Sequence, residues 1–241
     1  MAKKTGTNTN EFCRAAEAAL AQLADAAKAT GMRAYMRGKF VYLGVTTPQR
    51  RACVKVLIRG FAPVEAAALK IVARALWQME QREYQYVAAD LLDRHQAAFS
   101  LEDLPWLLEL AQSKSWWDTV DTFPKLVGGI VLRSGAKGRR AMDQALKHES
   151  FWVRRIAMLH QLGMREKTDT ARLFKYADKL APEKEFFIRK AIGWALRDYA
   201  WHDWRAVEKY LSGAKERLSG LTVREASKNF ATLKKRKSTE G

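Results

Sequence analysis

Apolar residues recur every three or four positions along most of this chain. Phe12, Ala16, Leu20, Leu23 and Ala27 fall on one face of a first helix that ends near Thr30-Gly31. Val64, Ala68, Ile71, Ala75 and Met79 do the same after Pro63. Leu173, Tyr176, Ala177 and Leu180 mark a later helix, and Val207, Tyr210 and Leu211 another. Gly60, Gly128-Gly129, Gly135, Gly138, Pro182 and Gly213 punctuate the segments. Strand-like alternation is confined to short pieces such as Phe40 to Val45. The pattern predicts an all-α fold.

A longer period overlies the helical one. Phe151-Trp152-Val153-Arg154-Arg155-Ile156-Ala157-Met158 recurs about 35 positions on as Phe186-Phe187-Ile188-Arg189-Lys190-Ala191-Ile192-Gly193. One period before the first copy stands Trp116-Trp117, and one before that Glu83-Tyr84-Gln85-Tyr86. Each unit has a more polar first helix and a second helix rich in aromatics and cations, the second helices starting near Glu83, Trp116, Phe151 and Phe186. A period in this range is the mark of stacked helix pairs, an α-solenoid whose equivalent helices line one concave, basic face. The expected organisation is one repeat domain over residues 1–233 and a basic, disordered tail over 234–241. The run Lys234-Lys235-Arg236-Lys237 in that tail reads as a solvated end rather than a targeting signal.

Charge narrows the partner. Lys and Arg number 43 against 26 acidic residues, a formal net charge of +17, which favours nucleic acid over anionic membrane or acidic protein surfaces. A hydrophobic fraction of 48% supports a packed core rather than a disordered chain. Cys13 and Cys53 lack ligand spacing and read as reduced thiols, and the four histidines form no metal-binding cluster. Neither a metal nor a cofactor is expected. The opening residues carry no apolar stretch of signal-peptide type, and no apolar run reaches the ~18 residues of a membrane span. The expectation is a monomeric cytoplasmic protein of bacterial type, associated with the nucleoid.

One repeat breaks the basic pattern. Asp118 and Asp121 follow Trp117 where the neighbouring copies are apolar or basic. Trp117 and Asp121 are four apart, so a helix sets an indole and a carboxylate on one face. Across the repeat Asp121 aligns with Ile156, next to Arg155. Adjacent stacked helices therefore carry an acid and a cation at nearly the same height, which structural ion pairing and catalysis explain equally well. Trp194 and Arg197 form a second candidate pair on the last inner helix, where a guanidinium beside an aromatic suits a sugar–phosphate contact. Core packing and a solvated charge are the plain alternatives there. P-loop, GxGxxG, HExxH and zinc-deaminase patterns are absent from the sequence.

Tyr35-Met36-Arg37-Gly38-Lys39-Phe40 and Leu43-Gly44-Val45-Thr46-Thr47-Pro48-Gln49-Arg50-Arg51 resemble the N-terminal signature of the AlkD family of DNA glycosylases. The likeness continues through Arg82-Glu83-Tyr84-Gln85 and Lys114-Ser115-Trp116-Trp117-Asp118-Thr119-Val120-Asp121. It ends with Glu185-Phe186-Phe187-Ile188-Arg189-Lys190-Ala191-Ile192-Gly193-Trp194-Ala195-Leu196-Arg197. The resemblance implies a HEAT-like repeat enzyme that hydrolyses the N-glycosidic bond of N3- and N7-alkylated purines in duplex DNA. It makes Trp117, Asp121, Arg155 and Trp194 the catalytic set. It also places Tyr35 and Thr46 in the DNA-facing N-terminal region, and with them the cations Lys39, Arg50, Arg154, Arg189 and Arg197 are the expected DNA-binding residues. Thr46 departs from related sequences, which can carry a longer polar side chain there.

The residue inventory suits that chemistry. A cationic alkylpurine leaves without a protonating acid, so a fixed carboxylate and aromatic faces suffice to stabilise an oxocarbenium-like sugar. Two other classes compete with it. A non-catalytic HEAT-like DNA-binding protein needs the basic face but not Asp121, and a protein-binding HEAT adaptor needs neither Trp117 nor the charge excess.

Overall fold

The computed structural model describes residues 3–62 and 64–238. Among these the regular elements are helical, with a single isolated bridge between Val41 and Gln81. The chain divides into two compact units, Met1–Leu104 and Pro105–Gly241.

The first unit contains α1 (Lys3–Ala21), α2 (Ala26–Tyr35), α3 (Thr47–Arg59), α4 (Ala66–Gln78) and α5 (Arg82–Arg94). The expected first helix running to Thr30-Gly31 is two helices instead. The chain turns after α1, and Asp25 restarts it by accepting the Lys28 backbone N–H at 3.0 Å, so Ala27 lies on an exposed turn of α2. The core face of α4 also differs from the expected one. Leu69, Val72, Ala73, Leu76 and Trp77 are fully buried against α1 and α5, while Ile71 is 51% exposed. The run Ala66-Ala67-Ala68-Leu69-Lys70-Ile71-Val72-Ala73 is apolar nearly all round, so its periodicity admits both faces and packing chooses one. Pro63, expected ahead of this helix, lies outside the described residues.

Between α2 and α3 the extended segment Val41–Val45 is strapped down by α5. The buried Glu83 carboxylate accepts the backbone N–H groups of Leu43, Gly44 and Val45 at 2.9–3.1 Å. Gly44 is obligatory there: its φ is +89°, and a Cβ would lie 2.0 Å from the Asp25 carbonyl oxygen.

The second unit contains α6 (Leu104–Gln112, entered from the end of the first), α7 (Trp117–Val120), α8 (Phe123–Ala145), α9 (Phe151–Leu159), α10 (Thr170–Leu180), α11 (Phe186–Ala214), α12 (Gly220–Ser227) and α13 (Phe230–Ser238). The repeat predicts second helices at Glu83, Trp116, Phe151 and Phe186, and helices start within one residue of each. α9 packs on both α8 and α11, and α11 on α10 and α12, so successive helix pairs stack as the period requires. The core is Val153, Ile156, Leu159, Leu173, Tyr176, Ile188, Ile192 and Leu196. α11 is interrupted at Asp203 (φ −137°, ψ 84°), whose carboxylate accepts the Ala206 N–H and caps the continuing segment. α13 runs through the basic stretch expected to form a tail, and Lys234 pairs with Glu208 at 2.6 Å. Residues 239–241 lie outside the described residues. No helix among the described residues is long and apolar enough to cross a membrane.

Candidate active site

The short helix α7 builds one side of the site. Trp116 stands at its N-cap and the Asp121 backbone N–H donates to the Trp117 carbonyl at 3.0 Å, so the one-turn spacing of Trp117 and Asp121 is realised. The helix stops at Asp121 because Thr122 turns back, its hydroxyl donating to the Thr119 carbonyl at 2.6 Å, and Pro124 opens α8. Asp121 thus sits at a helix end, with its side chain 17% exposed.

Arg155 of α9 fixes that carboxylate from the next repeat. Its Nε donates to Asp121 Oδ1 at 2.7 Å and its Nη2 to Oδ2 at 2.8 Å, a bidentate pair on a guanidinium side chain only 5% exposed. Nη1 donates to the Phe187 carbonyl at 2.5 Å, which ties the pair to the start of α11. The guanidinium lies 5.9 Å from both the Phe187 and Trp194 ring centroids. Asp121, Arg155 and Trp194, drawn from three repeats, meet at one place, and Trp117 lies half-buried one turn before Asp121.

Aromatic rings wall this place. Trp116 meets Phe187 edge-on at 5.1 Å, Trp152 lies 4.9 Å from Phe187, and Phe151 lies 4.5 Å from Trp152. In the sequence these rings mark only the repeat. Their paired occurrence at the start of each second helix was the available signal.

The expected DNA-binding residues divide. Tyr35, at the end of α2, is 72% exposed, and Lys39, past the turn that follows, is exposed too. Thr46 caps α3, with Gln49 Oε1 accepting from its backbone N–H at 3.2 Å and its hydroxyl at 2.6 Å. Arg50 is buried, paired with Asp90 at 3.1 Å and stacked over Tyr86. Arg154 donates twice to Glu183, at 2.7 and 2.8 Å, and to the carbonyls of His148 and Glu149. Arg189 donates to the Glu183 carbonyl at 3.0 Å, and Arg197 to Glu225 at 2.6 Å. The acidic partners Asp90, Glu183 and Glu225 carry no motif that would have pointed to them. Burial pushes the Cys13 and Cys53 thiols above their ordinary pKa, which keeps both in the unreactive form.

The fold and site define a class: an all-α protein of stacked helix pairs, with an arginine-clamped aspartate walled by aromatic rings. The family model described as DNA alkylation repair enzyme matches residues 16–230. A solved structure described as a predicted DNA alkylation repair enzyme from Enterococcus faecalis is 35% identical with a TM-score of 0.78. The match covers 85% of this chain and 95% of that one. No curated protein matches. The chain belongs to the DNA alkylation repair enzyme family.

Proposed function

We propose that the protein is a DNA glycosylase that removes cationic N3- and N7-alkylated purines from duplex DNA, acting as a monomer without cofactor. The observation that carries this reading is the Asp121–Arg155 pair beside Trp194, in a chain of net charge +17. Arg155 holds the carboxylate in one orientation, so no reorganisation is needed when positive charge develops on the deoxyribose. At 4 Å and an effective dielectric of 20, a unit-charge contact is worth roughly 4 kcal/mol, an upper bound here because Arg155 already offsets part of the aspartate's charge.

Trp117 and Trp194 are the aromatic faces in this mechanism, each contributing about 0.5–2 kcal/mol of cation–π attraction to the sugar cation. The same carboxylate positions the attacking water. The lesion brings its own positive charge, so the purine departs without a proton donor. Arg189 and Arg197 of the second unit, with Tyr35, Lys39 and Thr46 of the first, contact the DNA backbone. Arg50 and Arg154 support those surfaces through their internal ion pairs.

The test is release of free base from duplex DNA carrying N7-methylguanine or N3-methyladenine. Release above the spontaneous rate, retained in EDTA, supports the reading. Tight binding of the same duplex with no base release would make the chain a DNA-binding member of its family and leave the Asp121–Arg155 pair a structural one.

A further inference from the structure

One carboxylate in the second unit sits where a phosphate is expected. Lys190, Trp194 and Arg197 share a face of α11, each one turn from the next. Both cations face one carboxylate. Arg197 Nη1 donates to Glu225 Oε2 at 2.6 Å, and Lys190 Nζ lies 3.7 Å from Glu225 Oε1. Both oxygens of one anion thus face two cations that flank the aromatic ring expected to meet the lesion-strand sugar.

The approach that makes this contact is built into the backbone. A Cβ on Gly193 would lie 2.5 Å from Glu225 Cβ and 2.9 Å from the Thr222 carbonyl oxygen, so α12 reaches α11 because residue 193 is glycine. The Thr222 hydroxyl fastens the contact by donating to the Arg189 carbonyl at 3.1 Å. The contact is not sealed from water: the side chains of Lys190, Arg197 and Glu225 are 41%, 23% and 20% exposed. The neighbouring cations also hold the Glu225 carboxyl below its ordinary pKa against the opposing effect of burial, so it stays ionised near neutrality. Desolvation is the largest single influence on that carboxyl and raises it. The Arg197 hydrogen bond and the charges of Lys190, Arg197 and Lys228 together outweigh it.

We propose that Glu225 is an internal stand-in for a DNA phosphate: in the free protein it occupies the Lys190–Arg197 cation pair beside Trp194, and it yields that pair to a backbone phosphate when duplex binds. The exchange sets the protein's hold on DNA. Undamaged duplex must displace a preformed ion pair before gaining the contact, which weakens non-specific binding. The inference rests on the DNA-binding part of the proposed function.

The test is the affinity of Glu225→Gln for an unmodified duplex across a salt series. Glutamine keeps a hydrogen bond to Arg197 but surrenders the charge. The variant should bind about three- to tenfold tighter at low salt, and its log–log salt slope should steepen by up to about 0.9, because no freed carboxylate takes up a counter-ion to offset those released from the DNA. In an Arg197→Gln, Lys190→Gln background the same substitution should change affinity by less than about twofold.

Unchanged or weaker binding by the folded variant overturns the inference. So does an equal gain in the double-cation background, which would mark only a long-range charge effect. A wild-type readout stands beside the variants: the Glu225 side-chain carboxyl NMR signal should shift as unmodified duplex is added, and an unmoved signal at saturation refutes the exchange. Failure of the wild-type chain to bind duplex at all would overturn both this inference and the proposed function, whereas wild-type binding and base release with an unaltered Glu225→Gln affinity overturns this inference alone.

Discussion

Replacing Asp121 by asparagine separates the two things its carboxylate does. Structurally, Asp121 accepts two charge-assisted hydrogen bonds from Arg155, whose side chain is 5% exposed. Asparagine keeps one acceptor and turns an amide N–H₂ towards the other Arg155 donor. One charge-assisted bond, about 1.5–3 kcal/mol, is lost, and the buried guanidinium loses its counter-ion. Breaking a fully buried pair costs about 3–5 kcal/mol. Asp121 retains 17% side-chain exposure and the Phe187 carbonyl still accepts from Arg155, so the cost drops below that range, to about 2–3 kcal/mol. The melting temperature should fall by roughly 5–10 °C. Chemically, one preorganised electrostatic contact is removed, and base release should fall by roughly 10²–10³-fold. DNA affinity should hold or rise, since a negative charge facing phosphates is gone. The assay is single-turnover release of N7-methylguanine with protein in excess, well below the variant's melting temperature and alongside circular dichroism. Asp118→Asn, the same charge change three residues earlier, should stay within about threefold of wild type. If folded Asp121→Asn also stays within that range, the carboxylate is a structural partner of Arg155 and the mechanism is wrong.

Further outcomes follow from other parts of the molecule. Matched duplexes differing only in the lesion should show excision of N7- and N3-alkylpurines and sparing of uracil; efficient uracil release would reveal a proton donor that the proposed mechanism lacks. His160 is 2% exposed, and burial above all lowers its pKa to about 4, so it folds neutral. The unfolded chain binds that proton near pH 6.5, so the stabilisation is complete above pH 6.5 and drains away as pH falls towards 4, by up to about 3 kcal/mol. Denaturant melts of wild type and His160→Gln from pH 4 to 8 should converge at the acid end, and parallel curves would discount the histidine. Gly193→Ala should push α12 off α11 and cost about 1–3 kcal/mol; a melting temperature equal to wild type would show that the close approach is slack.

Some of this protein is local and therefore written in the chain. Helices follow from the spacing of apolar side chains, and second helices start at Arg82, Trp117, Phe151 and Phe186, within a residue of the repeat's expectation. The turn joining Trp117 to Asp121 is likewise local, and the alignment of Asp121 with the neighbourhood of Arg155 follows from the period alone. What lay out of reach was set by partners distant in sequence. Arg154 and Glu183 are 29 residues apart, Arg197 and Glu225 28, and Arg50 and Asp90 40. An arginine on a helix looks the same in sequence whether it faces a phosphate or an internal carboxylate. The choice is made by the helix that packs against it and by how close that helix comes, as Gly193 shows for α12. The same reason explains α4: periodicity within an almost wholly apolar helix leaves its orientation open, and only contact with α1 and α5 decides that Leu69 and Val72 go inward and Ile71 outward. Secondary structure and repeat register are properties of short stretches of chain, whereas ion-pair identity and buried face are decided by which surfaces exclude water together.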